Sequence, residues 1–406
     1  MTKALLVDTN FSSVPIYRAL LETNDEVHVV GGNPSDCLAK QASHYWNLDY
    51  SDIELLSDLI DKQGFDYIVP GCTDRSYESC VIAGRGRFTG IDSPSATTAI
   101  SNKAAFRRVA ASIGLPIPAI FHNPMDAIGH KAIVKPVDAF SGKGITVLPN
   151  ASSATIHEAI TLAHASSPSR QALVEEFVEG QLYSHSAFLV DRKVLCDFLV
   201  QEDGTANRFV VDTSRVLAPS VLPLLLVKIR KSVETLAEHL GLNDGLLHTQ
   251  FIANEAEIWL IESTRRCPGD LYSQLIEFST GYPYAHSYAM AFTGGVPTPR
   301  YNDSLRPVMR HTISVPAEQT FDHVRFLRRM NIISYVPLSL AGDILLPSPR
   351  SRVAIMFCQE RSQGELDKLY TATLRRELYE VSNGMRSIDG NGQLSGLKKS
   401  MVSDQP

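Results

Sequence analysis

Short apolar runs alternate with amphipathic stretches through the first hundred residues. Residues 3–8 (Lys-Ala-Leu-Leu-Val-Asp) read as a buried strand, 14–23 as a helix, and 26–30 as a second strand closing at Gly31-Gly32-Asn33-Pro34. A helical stretch over 52–63 leads to a third strand, Tyr67-Ile68-Val69-Pro70. Short apolar strands separated by helices predict a parallel sheet with both faces covered. Residues 1–98 are therefore expected to form a doubly wound α/β domain. Loops that leave such strands gather at one edge, where ligands bind. The loop Gly71-Cys72-Thr73-Asp74-Arg75 is one of them. Asp74 there is a candidate polar contact, with a plain connecting turn as the alternative.

Further on, the pattern changes to hairpins mixed with helices. A helix over 101–113 is expected to start at a Ser101 cap and end at Gly114. Ala132–Pro136 and 145–148 read as paired strands, 152–165 as a helix and 172–178 as a strand. A hairpin is expected at 184–190 and 193–200, turning at Asp191-Arg192, then a helix over 223–240 and a hairpin of 246–253 with 257–263. The last hundred residues predict strands at 308–315 and 353–358 and helices at 318–330 and 363–380. Polar residues dominate after about 385, as in a frayed tail.

Composition narrows the class. Hydrophobic residues make up 44% of the 406 and charged residues 20%, which excludes a largely disordered chain. The net charge of −6 disfavours a nucleic-acid partner. The six cysteines form no C-x-x-C pair, and they read as reduced thiols. The first residues lack the long apolar core of a signal peptide, and the most apolar stretch, 216–227, is too short to span a bilayer. The expectation is a cytoplasmic protein with no membrane partner. The segment that follows the first strand, Asp8-Thr9-Asn10-Phe11-Ser12, lacks the G-x-G-x-x-G fingerprint, and no Walker A loop is present.

Three segments carry candidate chemistry. Lys135 to Gly144 joins two strands through a loop with two glycines and Ser141, whose N–H groups can approach phosphate closely. Lys135 and Lys143 would add charge; an ordinary flexible turn is the alternative. Leu173 to Gly180 contains Glu175, Glu176, Phe177 and Val178, a strand end able to offer backbone groups to the edge of a base and apolar contacts to its ring. It could equally be a strand end with solvated acids. The third is the hairpin around Asn254-Glu255-Ala256. A turn centred on Ala256 sets Gln250 opposite Glu262 and His248 opposite Thr264, with Arg266 on the same face. A carboxylate and an amide oxygen there suit Mg²⁺, a hard cation; a solvent face with an ordinary ion pair is the alternative.

In this order, after a small α/β domain, these segments resemble the ATP-grasp superfamily. Matching pieces are Ser101-Asn102-Lys103, Val134-Lys135-Pro136, Ser141-Gly142-Lys143-Gly144, Glu175 to Gly180 and Ile261 to Gly269. The resemblance spans roughly residues 1–300. It implies α/β and α+β architecture: an N-terminal doubly wound parallel-sheet domain (1–98), a small (99–178) and a large (179–303) ATP-grasp subdomain of α+β type, and a C-terminal α+β closing region (304–385). A flexible tail (386–406) would follow.

By position, Lys103 and Lys135 resemble the family's phosphate-contacting lysines, and 140–144, with Gly142 and Gly144, its phosphate cover. Glu175, Phe177 and Val178 resemble its adenine-edge segment, Glu262 its Mg²⁺ ligand, and Arg266 the arginine that steadies an acyl-phosphate. Three positions depart from the pattern. Leu182 stands where a ribose-binding Glu is usual, Gln250 replaces the first metal-binding Glu, and Thr264 replaces an Asn. One formal negative charge is lost, and Glu257 has the wrong parity to replace it.

The implied activity is that of an ATP-dependent carboxylate–amine ligase that uses ATP and Mg²⁺ and releases ADP. Its partners would be a small-molecule carboxylate and an amine, which an amino acid could supply; assembly as a homodimer stays open. Arg266, Lys143 and Arg215 are the catalytic candidates, and Arg208 could also hold the carboxylate. His185 and His248 are candidate proton carriers or structural histidines. An ATP-grasp enzyme of nucleotide metabolism, or a nucleotide-binding protein without turnover, are the alternatives.

Overall fold

The computed structural model describes residues 1–139, 142–255, 257–300 and 304–383. Phe140 and Ser141 of the phosphate-cover loop, Ala256 at the expected hairpin turn and the tail after 385 lie outside the described residues.

The opening strands are as apolar as their pattern suggests, and they end up buried. β1 (Lys3–Val7), β2 (Glu26–Gly31), β3 (His44–Asn47) and β4 (Tyr67–Pro70) form a parallel sheet of order β3-β2-β1-β4. α1 (Val14–Thr23), α2 (Cys37–Gln41), α3 (Ile53–Gln63) and α4 (Asp74–Gly84) accompany it. Thr73 caps α4 by accepting from Ser76 N at 3.1 Å, which sets Asp74 in the first turn.

α5 (Pro94–Ser101) and α6 (Lys103–Ser112) follow. The helix expected to begin at a Ser101 cap is thus two helices. Asn102 is the cap, accepting from Ala105 N at 2.9 Å, and Ser101 ends the helix before it. β5 (Ala132–Pro136), β6 (Thr146–Leu148) and β7 (Ala172–Glu176) make a three-stranded antiparallel sheet of order β6-β5-β7. α7 (Ser153–Ser166) packs on it through Ile156, Ala159 and Ala163.

An antiparallel sheet of eight strands forms the largest layer. Its members include β8 (Gln181–Val190), β9 (Lys193–Asp203), β10 (Thr213–Leu217), β11 (Gly245–Ala253) and β12 (Ile258–Thr264). α8 (Pro223–Leu240) covers the face carrying Ala187, Leu199 and Leu247. α9 (Tyr272–Thr280) and α10 (Tyr284–Phe292) cover the face carrying Phe188, Phe198 and Leu246. That second core runs on into β1 and α1, and Tyr288 donates to the carbonyl of Pro70 at 3.1 Å. The parallel sheet is therefore fastened to the large one by apolar burial.

β13 (Val308–Ile313) pairs with β10, so the large sheet continues into the C-terminal region without a break. With β18 (Ala354–Gln359) and β16 (Ile332–Pro337), its order is β12-β11-β8-β9-β10-β13-β18-β16. The helix expected over 318–330 is instead two short strands. β14 (Gln319–Thr320) and β15 (Val324–Phe326) pair with β17 (Ile344–Leu345) and β19 (Tyr379–Val381). Long-range pairing overrides a helix-like spacing there. α11 (Gln363–Leu374) completes the region.

Candidate active site

A cavity of about 1000 Å³ opens between the small antiparallel sheet, the large sheet and the C-terminal edge of the parallel sheet. Lys135, at the end of β5, lines it and is almost fully buried. Its ammonium touches the carboxylate of Glu175, which also accepts from Arg107 Nε at 2.5 Å. Burial pushes the Lys135 ammonium down to about 8, helped by the positive charges of Arg107 and Lys103 and opposed by Glu175. Burial works against charge on Glu175 too, but Lys135 and Arg107 outweigh it and hold its carboxyl below the ordinary range.

Lys103, first residue of α6, reaches over the cavity. Its Nζ donates to the carbonyl of Ala139 at 3.1 Å and lies 3.9 Å from Glu262 Oε2. Lys143 also lines the cavity. Gly142 and Gly144 both take positive φ, 70° and 75°. A Cβ on Gly142 would sit 2.9 Å from Phe209, and one on Gly144 2.6 Å from Ser166. Glycine is required here by conformation and by space. Ser141 lies outside the described residues.

Glu176, Phe177 and Val178 line the same cavity. Glu176 accepts from Ala119 N at 2.9 Å, and Phe177 N donates to the carbonyl of Lys131. The ring of Phe177 lies between Lys131 and Arg208, 4.6 and 5.2 Å from its centroid.

On the opposite wall, Gln250 faces Glu262 and His248 faces Thr264. A β-bulge produces this register. Residues 251–253 pair with 258–260 at an offset that would set Glu262 opposite Thr249. Ile261 is the extra residue, and past it the pairing moves by one. The carbonyl of Ile261 accepts from Arg107 NH1 at 2.8 Å.

Gln250 Nε2 donates to Glu202 Oε2 at 2.6 Å. Burial raises the Glu202 carboxyl, and Glu262 adds to the rise, while bonds from Ser184 and Gln250 and the charge of Arg310 oppose it. Thr264 Oγ1 donates to Asp74 at 2.9 Å. Arg266 grips the same carboxylate with Nε at 2.8 Å and NH2 at 3.0 Å, so a residue of the parallel-sheet domain holds it. Burial opposes charge on Asp74, and Arg266 and Thr264 together keep its carboxyl below the usual range.

The cavity therefore brings together Lys103, Lys135, Lys143, Gly142, Glu175, Glu176, Phe177, Val178, Gln250, Glu262, Thr264 and Arg266. Arg215 is not among its walls. It bonds Gln201 at 3.0 Å, pairs with Asp367, and stacks on Tyr370 of α11. His185 is buried against Asp197 at 2.7 Å. His248 is buried against Ser186, and desolvation takes its ring down to about 3, so it stays neutral. Neither histidine lines the cavity.

Two charged groups escaped the sequence reading. Arg107 sits on the buried side of α6 with Phe106 and Ala110, a cation on an apolar stripe. Glu202 shares the parity of Phe198 and Val200, whose pattern points inward. In both cases the signal was a charge in a hydrophobic phase.

The donor set fits the groups that the resemblance implies. A carboxylate, an amide oxygen and a hydroxyl suit a hard cation, and three lysines with a glycine loop suit polyphosphate. Among the described residues, Glu26, His28 and His44 also bring ligand atoms within 4.8 Å of one another. There Trp46 Nε1 donates to His28 Nδ1 at 2.8 Å, so Nε2 carries the proton and donates to Glu26. Neither ring nitrogen of His28 is left open to a metal.

Residues 128–274 match the family model described as an ATP-grasp domain. Among curated proteins, the formate-dependent phosphoribosylglycinamide formyltransferase of Corynebacterium efficiens is 25% identical over 189 residues, 44% of this chain and 47% of the relative. The match thus spans about half the length of that relative. Among solved structures, an L-amino acid ligase from Bacillus licheniformis aligns with a TM-score of 0.75 at 16% identity, covering 94% of this chain and 99% of that one. Phosphoribosylglycinamide synthetase from Anaerococcus prevotii aligns with a TM-score of 0.72 at 15% identity, covering 94% and 100%. The domain match falls on a segment that contributes to both walls of the cavity, and the solved structures share the fold over nearly the whole chain: residues 128–274 carry an ATP-grasp domain.

Proposed function

We propose that the protein is an ADP-forming ligase that activates a small-molecule carboxylate with ATP and joins it to an amine. One observation carries this reading. A single cavity brings Lys103, Lys135 and Lys143 together with Glu262, Gln250, Thr264 and Arg266, and Lys103 Nζ lies 3.9 Å from Glu262 Oε2. The lysines suit the phosphates, and Glu176 to Val178 suit the edge of the base. Glu262, Gln250 and Thr264 would hold Mg²⁺, which offsets phosphate charge during transfer. Arg266 suits the acid or its acyl-phosphate, through a planar fork that matches two oxygens. Catalysis on this reading is positioning and charge neutralisation.

The curated relatives favour a second reading, an enzyme of nucleotide metabolism. One observation weighs against a phosphate-bearing acceptor at the first strand–helix turn. Asp8 already fills that turn with a carboxylate. It accepts from Asn10 N at 3.0 Å, Cys72 N at 3.1 Å and the Ser13 hydroxyl at 2.7 Å. N–H groups that bind a ligand phosphate in related topologies are spent on the chain's own acid. An unphosphorylated acid and amine, such as amino acids, suit the site better. ADP release with pooled amino acids tests this, with Glu262→Ala as control. Mg²⁺-dependent release that the pool stimulates is expected. Release only with a phosphoribosyl amine would move the assignment to the second reading.

A further inference from the structure

Gln250 brings an amide to the proposed cation site where Glu262 brings a carboxylate, and the amide adds an ambiguity. A side-chain amide has an oxygen that can meet a hard cation and a nitrogen that cannot, and β11 alone does not choose between them. Glu202 makes the choice. It sits two strands away on β9, is 4% exposed, and receives Gln250 Nε2 at 2.6 Å. A carboxylate only accepts, so it takes the N–H end. The oxygen of Gln250 is then the end left for the cavity that this residue lines.

The charge is itself supported from the far side. Glu202 lies opposite Ser214 on β10, and Ser214 lies opposite Arg310 on β13. Arg310 donates Nε to Ser214 Oγ at 3.0 Å, which sets its positive charge in the same row. A polar row thus crosses the inner face of the sheet from Glu262 through Gln250, Glu202 and Ser214 to Arg310.

We propose that Glu202 is the positioning carboxylate of the cation site: by taking the N–H end of the Gln250 amide, it turns the amide oxygen toward the cavity. This rests on the reading of Glu262, Gln250 and Thr264 as the cation ligands.

The test is ADP binding to the full chain by calorimetry, with Mn²⁺ and with EDTA. The readout is the gain in affinity that the metal confers. Groups that orient a metal ligand change metal affinity about 10- to 100-fold when removed. E202Q is expected to lower the gain about tenfold or more and to leave ADP affinity in EDTA unchanged. The double variant Q250E/E202Q transposes the carboxylate and keeps the bond between the two side chains. It is expected to return the gain to within about threefold of the parent. A folded E202Q with the parent's gain would overturn the proposal. If E202Q melts below the assay temperature, the transposed pair decides: a gain lost there overturns it. A parent chain whose ADP affinity ignores Mn²⁺ would sink the cation site itself, a distinct outcome.

Discussion

Arg107 NH1 donates to the backbone carbonyl of Ile261 at 2.8 Å, while its Nε holds Glu175 at 2.5 Å. One buried guanidinium therefore ties strand β7 to the bulge that turns Glu262 into the cavity. Arg107→Met would leave the buried Glu175 with Lys135 alone and the bulge carbonyl without this donor. Removing one partner of a buried pair costs about 3–5 kcal/mol. Urea unfolding is expected to show a loss of that size. A loss below about 1 kcal/mol would mean that the pair adds little.

If Lys135 meets phosphate as proposed, nucleotide binding is expected to be sensitive to pH. Its ammonium is held at about 8 in the folded chain, against an ordinary 10.5. Between those values the unfolded chain binds more protons, so this group's contribution to stability rises with pH through that window. Nucleotide affinity should move the other way, because the charge that meets phosphate is lost above about 8. A fall approaching tenfold per pH unit there is expected in ADP titrations from pH 7 to 9.5. A flat profile would remove Lys135 from the phosphate contacts.

Gly144 and Gly114 separate two costs. Both take positive φ, 75° and 69°, but only at Gly144 would a Cβ meet a neighbour, Ser166. Gly114→Ala should lose about 1 kcal/mol from backbone strain alone. Gly144→Ala should lose more and should also weaken ADP binding. Equal stability losses, with ADP binding intact in both variants, would show that the loop tolerates the contact.

Arg266→Lys keeps the charge and loses the fork. Under the proposed ligase chemistry, kcat is expected to fall about 10²- to 10³-fold, the usual scale for a group acting on transition-state charge. ADP affinity should stay within about twofold. An equal loss in both would place Arg266 on the nucleotide instead.

Much of this was legible. The opposition of Gln250 and Glu262 follows from a turn at 256 and period two, yet the chain reaches it by another route. The strands leave the turn one residue out of step, and the bulge at Ile261 restores the pairing. No local pattern marks Ile261 as a bulge, since an apolar strand residue looks the same in or out of register. Its partner Arg107 lies 154 residues away. Arg215 failed for a similar reason. It was a catalytic candidate, but α11 folds across and its Tyr370 and Asp367 engage Arg215 away from the cavity. The parallel-sheet strands were readable because burial on both faces leaves an unbroken apolar run. The stretch 318–330 was misread because its partners lie some 20 to 60 residues further on.

Arg266 is never bare. Asp74 occupies both prongs of its fork, so an incoming anion is matched against a bond already made. Its affinity becomes the difference between two grips rather than the strength of one. On the proposed ligase reading, Asp74 would act as a tethered competitor for Arg266, yielding only to an anion that brings a better-fitting pair of oxygens. Because Asp74 starts α4 of the parallel-sheet domain, each such exchange also trades away one of the polar links between that domain and the large sheet.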